Sequence, residues 1–91
     1  MNRTHNNGEL RINDVNKVVE LKGWVAKKRN LGSLIFIDLR DRYGITQIVL
    51  NEEMEAIGRE IKNEYVLHVT GKVIERSSKN PNMPTGDIEI E

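Results

Sequence analysis

The fold is decided by the stretch Gly23–Gly44, which reads GWVAKKRNLGSLIFIDLRDRYG. Alternating apolar residues predict a first strand over Val18–Lys28 and a second strand over Leu34–Arg40. Between them, the glycine-containing segment Asn30–Ser33 predicts a turn. The two strands therefore form a hairpin, with aliphatic side chains on one face and an aromatic ring among charged groups on the other.

Four further elements follow this hairpin. Ile45–Leu50 predicts a third strand, and Asn51 is expected to cap a helix over Glu52–Asn63. Tyr65–Glu75 predicts a fourth strand, and Ile88–Glu91 begins a fifth after a polar loop with two prolines. Three strands, a helix and two strands, in this order, are the elements of the OB-fold, a five-stranded Greek-key barrel.

The predicted fold class is therefore all-β with one helix, an OB-fold whose helix lies between strands three and four. A small split α+β sheet is the main alternative. Gly23 and Gly71 favour the barrel, because a glycine inside a strand marks a bulge, a sharp bend or a close backbone approach. In the helix, Met54, Ile57 and Ile61 recur at helical spacing and predict a narrow apolar stripe.

With 91 residues, the chain is one small domain with room for a single core. Residues 1–17 are expected to pack on a barrel formed by residues 18–91, with Leu10 contributing to the core and Asn13 capping a single helical turn. The fifth strand stops in mid-pattern, which predicts a fragment of a longer protein. The chain has no cysteine, and no apolar run is long enough to span a membrane, so we expect a cytoplasmic protein without disulfides.

Charge is distributed unevenly along the chain. Fourteen basic residues balance fourteen acidic ones, and this neutrality argues against a general nucleic-acid binder. Residues 1–50 carry nine basic and five acidic side chains, whereas residues 51–91 carry five and nine. Apart from chance, the asymmetry indicates one basic binding face with an acidic back.

Phe36 is the leading candidate for a functional residue, because it is predicted on the charged face of the second strand. Nucleic-acid bases stack on exposed aromatic rings, at roughly 1–3 kcal/mol per base. The alternative is that a loop covers the ring. The basic run Lys27, Lys28 and Arg29 is expected on the adjoining loop, where lysine offers a phosphate a point charge and arginine a planar fork.

Gln47 and Glu89 are predicted to face outward on neighbouring strands. An amide can both donate to and accept from a base edge, and a carboxylate can accept from an exocyclic amine. Either residue taken alone is more often a solvated strand position. We find no catalytic constellation, because His5 and His68 are far apart, no metal-ligand spacing occurs, and the glycines form no phosphate-binding motif.

Longer runs of the sequence resemble a known family. RTH and GEL near the start, GWV at Gly23–Val25, LGSLIFIDLRDRYGITQIV from Leu31 and PTGDIEIE from Pro84 are similar to the N-terminal anticodon-binding domain of bacterial-type aspartyl-tRNA synthetases. The resemblance covers essentially the whole chain. It implies an OB-fold that binds the anticodon loop of aspartate tRNA. The catalytic domain, with its ATP and magnesium sites and its dimer interface, would follow Glu91, so this fragment would be a monomer without cofactor, metal or catalytic residue.

The resemblance also implies roles for five residues. Phe36 matches a phenylalanine that stacks on the central anticodon base, and Arg29 matches an arginine that contacts the anticodon loop. Gln47 matches a glutamine that reads an anticodon base, and Glu89 a glutamate that helps to read the first one. Asn80 occupies a loop position similar to one that contacts the anticodon.

Other functions stay open at this point. A general single-stranded nucleic-acid-binding OB-fold would need several exposed aromatic residues and a positive charge balance. The chain could equally be the corresponding domain of an asparaginyl- or lysyl-tRNA synthetase, or an OB domain that binds protein. The sequence also leaves open whether the longer enzyme charges asparagine tRNA in addition to aspartate tRNA.

Overall fold

The computed structural model describes residues 3–32, 34–77 and 79–91. Ser33, predicted in the first turn, and Ser78, in the polar loop, lie outside the described residues. The strands are β1 (Val18–Leu31), β2 (Leu34–Asp41), β3 (Gly44–Leu50), β4 (Val66–Glu75) and β5 (Ile88–Ile90). They form a closed barrel in the order β1–β2–β3–β5–β4, with a short helix between β3 and β4, and this confirms the predicted fold class.

The first strand belongs to both halves of the barrel. Its first half, Val18–Trp24, pairs antiparallel with β4, and its second half, Trp24–Leu31, pairs antiparallel with β2. The predicted end of this strand at Lys28 is wrong, because residues 27–31 continue the ladder against residues 38–34. The basic run therefore lies on a strand and not on a loop.

Two strand glycines permit close backbone approaches, as their positions predicted. A Cβ atom on Gly23 would lie 2.3 Å from the carbonyl oxygen of Arg40. One on Gly71 would lie 2.7 Å from the carbonyl oxygen of Glu91. Because real Cβ atoms do not approach other heavy atoms this closely, only glycine lets the backbone of β1 and β4 lie this close to these neighbouring residues.

A one-residue bulge reverses the faces of β1. Its register with β2 shifts between Val25 and Lys27, so Ala26 is an extra residue. Side chains alternate with a period of two, and one extra residue therefore moves the odd-numbered positions from the core face to the outer face. Arg29 consequently lies opposite Phe36 on the outside of the barrel.

The core is aliphatic and draws on every strand and on the segment before β1. Ile37 and Leu39 of β2 lie at its centre, at 1% and 0% exposure. The complete cluster is Leu10, Val19, Leu21, Val25, Ile35, Ile37, Leu39, Ile48, Val73, Ile88 and Ile90.

The segment before β1 lies against the barrel. Leu10 is fully buried, and the side-chain amide of Asn7 donates to the carbonyl of Lys22 at 2.9 Å. The backbone N–H of Asn7 donates to the Asp41 carboxylate at 2.9 Å. These contacts tie the N-terminal segment to both β1 and the end of β2.

The helical turn in this segment spans Ile12–Asp14 and begins after Arg11, so the predicted Asn13 cap is wrong. Asp14 fixes the turn instead, by accepting from the Lys17 ammonium and from the Arg11 backbone N–H, each at 2.8 Å. These two hydrogen bonds, that from Lys17 above all, lower the pKa of Asp14.

The helix between β3 and β4 is shorter than predicted. A 3-10 turn at Glu52–Met54 leads into α1 (Glu55–Glu60), and Ile61 is already extended. Asn51, predicted to cap the helix, caps this 3-10 turn and not α1, with its side-chain oxygen accepting from the Glu53 N–H at 3.1 Å. In the described part of the chain, no helix has the length and apolarity needed to cross a membrane.

The apolar stripe of this helix lies only partly on the core. Ile61 packs against the core cluster. Met54 and Ile57, however, are 40% and 55% exposed. The residue of the predicted stripe that packs on the core is therefore the one that follows α1, and the apolar side chains of the helical segment itself are left largely exposed.

Candidate nucleic-acid interface

The candidate site lies on the outer face formed by β1, β2 and β3. In antiparallel ladders, directly opposite residues point to the same side, so register alone identifies the neighbours on this face. Two cross-strand rows result, Arg29–Phe36–Val49 and, one step along, Lys27–Asp38–Gln47.

A chain of polar side chains crosses this face. The guanidinium of Arg29 donates to the amide oxygen of Gln47 at 2.8 Å, and the amide nitrogen of Gln47 donates to the Glu89 carboxylate at 2.7 Å. Gln47 is only 4% exposed. Since a cation holds one end of the amide and a carboxylate the other, the orientation of Gln47 is fixed. We refer to these residues as the Arg29–Gln47–Glu89 chain.

Phe36 lies beside this chain. The guanidinium carbon of Arg29 is 5.6 Å from the centroid of the Phe36 ring, which is cation–π distance. The ring is half-buried and lines an open cleft of about 230 Å³ together with Glu89, Arg76 and Ser77. A planar group that enters this cleft can therefore reach the ring.

The two lysines of the basic run lie on different sides. Lys27 is exposed and shares a row with Asp38 and Gln47. Lys28 is half-buried, and its ammonium donates to the carbonyl oxygen of Ile61 at 2.9 Å, where the helix ends. A cation at a helix C-terminus satisfies an unpaired carbonyl, so the ammonium of Lys28 already has a hydrogen-bond partner within the protein. Its predicted phosphate contact stays a prediction.

Asn80 lies apart from the Arg29–Gln47–Glu89 chain. Its side-chain oxygen accepts from the Asn82 backbone N–H at 3.0 Å, and it is not among the residues that line the Phe36 cleft. The loop that carries Asn80 is attached to β3 through a hydrogen bond from the Thr85 hydroxyl to the Ile45 carbonyl. A role for Asn80 in binding stays a prediction.

Sequence reasoning did not single out Arg76, although it lines the cleft. The backbone N–H of Arg76 donates to the carbonyl of Asp87 at 3.0 Å and so extends the pairing of β4 with β5. Arg76 therefore lies opposite Asp87, two residues before Glu89 on the neighbouring strand. In the sequence, Arg76 directly follows β4, and this position could have indicated it. Its neighbour Asp87 lies beyond a long loop, however, so the sequence alone did not bring the two together.

The arrangement offers a ring for stacking, cations for phosphates, and a carboxylate that accepts hydrogen bonds. Across the described ranges, no group of His, Asp and Glu side chains is placed to hold a metal ion. The chemistry of the face is therefore that of binding a flexible, anionic, aromatic ligand, which is the description of a single-stranded nucleic acid.

Comparison with known families agrees with this description. Residues 19–91 match the tRNA anti-codon family, described as the OB-fold nucleic acid binding domain, and the chain belongs to this family. Over its full length it is 57% identical to the aspartate–tRNA ligase of Mesoplasma florum. The predicted resemblance to the aspartyl-tRNA synthetases is thereby confirmed. The chain spans only 16% of the length of that relative.

Solved structures show the same fold. The asparaginyl-tRNA synthetase of Pyrococcus horikoshii superimposes with a TM-score of 0.77 at 27% identity, over 96% of this chain and 21% of that one. OBody AM2EP06, in its complex with hen egg-white lysozyme, superimposes with a TM-score of 0.84 at 24% identity, over 99% of this chain and 87% of that one. At this identity the second likeness concerns the fold alone.

Proposed function

We propose that the chain is the anticodon-binding domain of an aspartyl-tRNA synthetase. The observation that carries the proposal is the Arg29–Gln47–Glu89 chain beside the accessible ring of Phe36. The 57% identity to an aspartate–tRNA ligase supports the choice of amino acid. The ligand is the anticodon loop of aspartate tRNA, and asparagine tRNA is a second ligand if the longer enzyme does not discriminate.

The geometry suggests how the work is divided among the residues. An unstacked base lies on Phe36, and the remaining N–H groups of Arg29 hold a phosphate or a base edge. Glu89 accepts hydrogen bonds from base amines. Gln47 is buried and uses both ends of its amide, so it fixes the spacing between Arg29 and Glu89. It reads a base directly only if it exchanges one of these partners.

In the longer enzyme, this domain holds the anticodon while the rest of the protein attaches aspartate to the tRNA. That reaction uses ATP and magnesium, which bind outside this chain. We place the enzyme in the cytoplasm, as a homodimer, and the isolated domain as a monomer.

Titration of the labelled 91-residue chain with RNA tests the proposal. Three ligands are compared at one salt concentration, because phosphate contacts make every affinity salt-dependent. They are the aspartate anticodon stem-loop, the same stem-loop with a changed anticodon, and oligo-dT. We expect the matched stem-loop to bind most tightly. Equal affinity for oligo-dT would show a general single-strand binder instead.

Replacement of Glu89 by glutamine is expected to relax recognition of the first anticodon base. The substitution keeps the size of the side chain but removes the charge that accepts from base amines. We expect discrimination at that base to fall by about 1–3 kcal/mol. Fluorescence anisotropy with four stem-loops that differ only in the first anticodon base measures the effect.

Glu60→Gln is the matched control for this substitution. Glu60 is exposed at the end of α1, away from the outer face of β1, β2 and β3. Glu60→Gln makes the same chemical change as Glu89→Gln and should leave the ranking of the four stem-loops as it is in the unaltered chain. If Glu89→Gln also leaves the ranking unchanged, Glu89 does not read that base.

A further inference from the structure

Three arginines gather at the turn between β2 and β3. The guanidinium carbons of Arg3 and Arg42 lie 5.2 Å and 5.7 Å from the centroid of the Tyr43 ring, which is itself 53% exposed. Arg40 precedes them on β2 and lines the same open cleft of about 440 Å³ as Arg42 and Tyr43. We call Arg3, Arg40, Arg42 and Tyr43 the Arg–Tyr cluster.

Among the described residues, few acidic side chains accompany this cluster. Of the residues that line the cleft, only Asp41 is acidic. Its carboxylate accepts backbone N–H groups from Asn7, Tyr43 and Gly44 at 2.9, 2.8 and 3.1 Å, and so it holds the turn. Throughout the described residues, no carboxylate forms an ion pair with an arginine of the cluster. Two arginines thus share the cleft with one carboxylate that already holds the turn, and Arg3 adds a third cation beside Tyr43. Such an arrangement attracts an external anion.

The cluster continues the face that carries Phe36. Arg40 lies on the same side of β2, four residues further along, which at 3.3 Å per residue is about 13 Å away. Its neighbour across the ladder is Trp24, which is 37% exposed. At duplex spacing, this distance corresponds to about four nucleotides of one strand. A stem-loop that places a base on Phe36 is therefore long enough to reach the cluster.

We propose that the Arg–Tyr cluster is a second RNA-binding surface, which contacts phosphates of the tRNA anticodon stem-loop beyond the bases held at Phe36. The inference rests on the proposed function. Tyr43 holds two guanidinium groups by cation–π contact, and arginine forks bind phosphate oxygens in pairs. Because phosphates carry no sequence information, this surface adds affinity without adding anticodon discrimination.

The double variant Arg40→Gln, Arg42→Gln tests the proposal in the 91-residue chain. We expect its affinity to fall by about tenfold at low salt, and equally for the matched and the anticodon-changed stem-loop. The slope of log affinity against log salt should decrease by about 1 for each phosphate that the variant no longer binds. Lys62→Gln, Lys72→Gln removes the same charge from exposed positions outside the cluster and should have little effect on either quantity.

The outcomes separate this inference from the proposed function. Wild-type affinity and salt slope in the Arg40→Gln, Arg42→Gln variant would overturn the second surface, whether or not the anticodon is recognised. Equal binding of both stem-loops by the unaltered chain would overturn anticodon recognition. The effect of the double variant would then still show whether the Arg–Tyr cluster binds RNA. Binding of a poly-glutamate peptide that is abolished in the double variant, with RNA binding unchanged, would identify an acidic protein as the partner instead.

A thermal melt shows whether the double variant is folded. Arg3→Gln provides an independent test, because Arg3 precedes the barrel strands and is exposed. This single variant should shift affinity and salt slope in the same direction by a smaller amount. If Arg3→Gln and the double variant both bind like the unaltered chain, the cluster does not contact RNA.

Discussion

Phe36→Ala is expected to weaken binding of the aspartate anticodon stem-loop by about 5- to 150-fold, the equivalent of the roughly 1–3 kcal/mol that one stacked base contributes. The substitution removes the ring that lines the cleft and the surface against which Arg29 lies at 5.6 Å. The barrel should remain folded, because Phe36 points away from the core cluster. Fluorescence anisotropy or calorimetry with the labelled stem-loop measures the loss.

Tyr65→Ala is the control for this variant, since Tyr65 is 47% exposed and lies before β4, outside the proposed site. Its removal should leave RNA affinity unchanged. In the synthetase proposed above, Phe36→Ala should impair charging of tRNA with little effect on aspartate activation. Undiminished stem-loop affinity in the Phe36→Ala chain would remove the ring from the binding site.

Ile37→Ala is expected to destabilise the fold by about 2–5 kcal/mol, because it leaves a cavity at the centre of the barrel. Ile37 is 1% exposed and is the residue next to Phe36 on the opposite face of β2. In a domain whose stability is about 5–15 kcal/mol, this is a large share of the total. Denaturant titration followed by circular dichroism measures the change in the free energy of unfolding.

Ile57→Ala makes the identical chemical change on α1, where the side chain is 55% exposed. We expect a change within about 0.5 kcal/mol, since surface substitutions are usually of this size and alanine favours the helix. A helix with its whole apolar stripe in the core would instead make both substitutions costly. Comparable losses for the two variants would therefore contradict the observed position of the helix.

Strand alternation was sufficient to predict all five strands and the outward positions on β2, because the period-two pattern is a local property of the chain. It was not sufficient for β1. Nothing in the residues around Ala26 signals an extra position, yet that residue decides which side of the barrel Arg29 occupies. The choice is made by the packing of Val25 and the ladder to β2, which are tertiary effects.

The helix and the polar chain show the same limit. Helical spacing places Met54, Ile57 and Ile61 on one side of a helix, but it does not determine how deeply that side is buried. Gln47 and Glu89 could each be predicted to face outward. The two residues are separated by 42 positions in the chain, and their hydrogen bond depends on the parallel pairing of β3 with β5, so only the closed barrel reveals it.

The strand that supplies Glu89 has a thermodynamic consequence. β5 has three residues, and its pairing with β3 is a single register position, Ile48 with Ile90. The ligand site is thus complete only when β5 is paired with β3 and the barrel is closed. An RNA that needs Glu89 therefore binds the closed state in preference to any open one. At a free concentration of 100 times Kd, such a ligand adds about 2.7 kcal/mol to the stability of that state. An RNA ligand would then stabilise the closed barrel and protect the pairing of β5 with β3 from local opening.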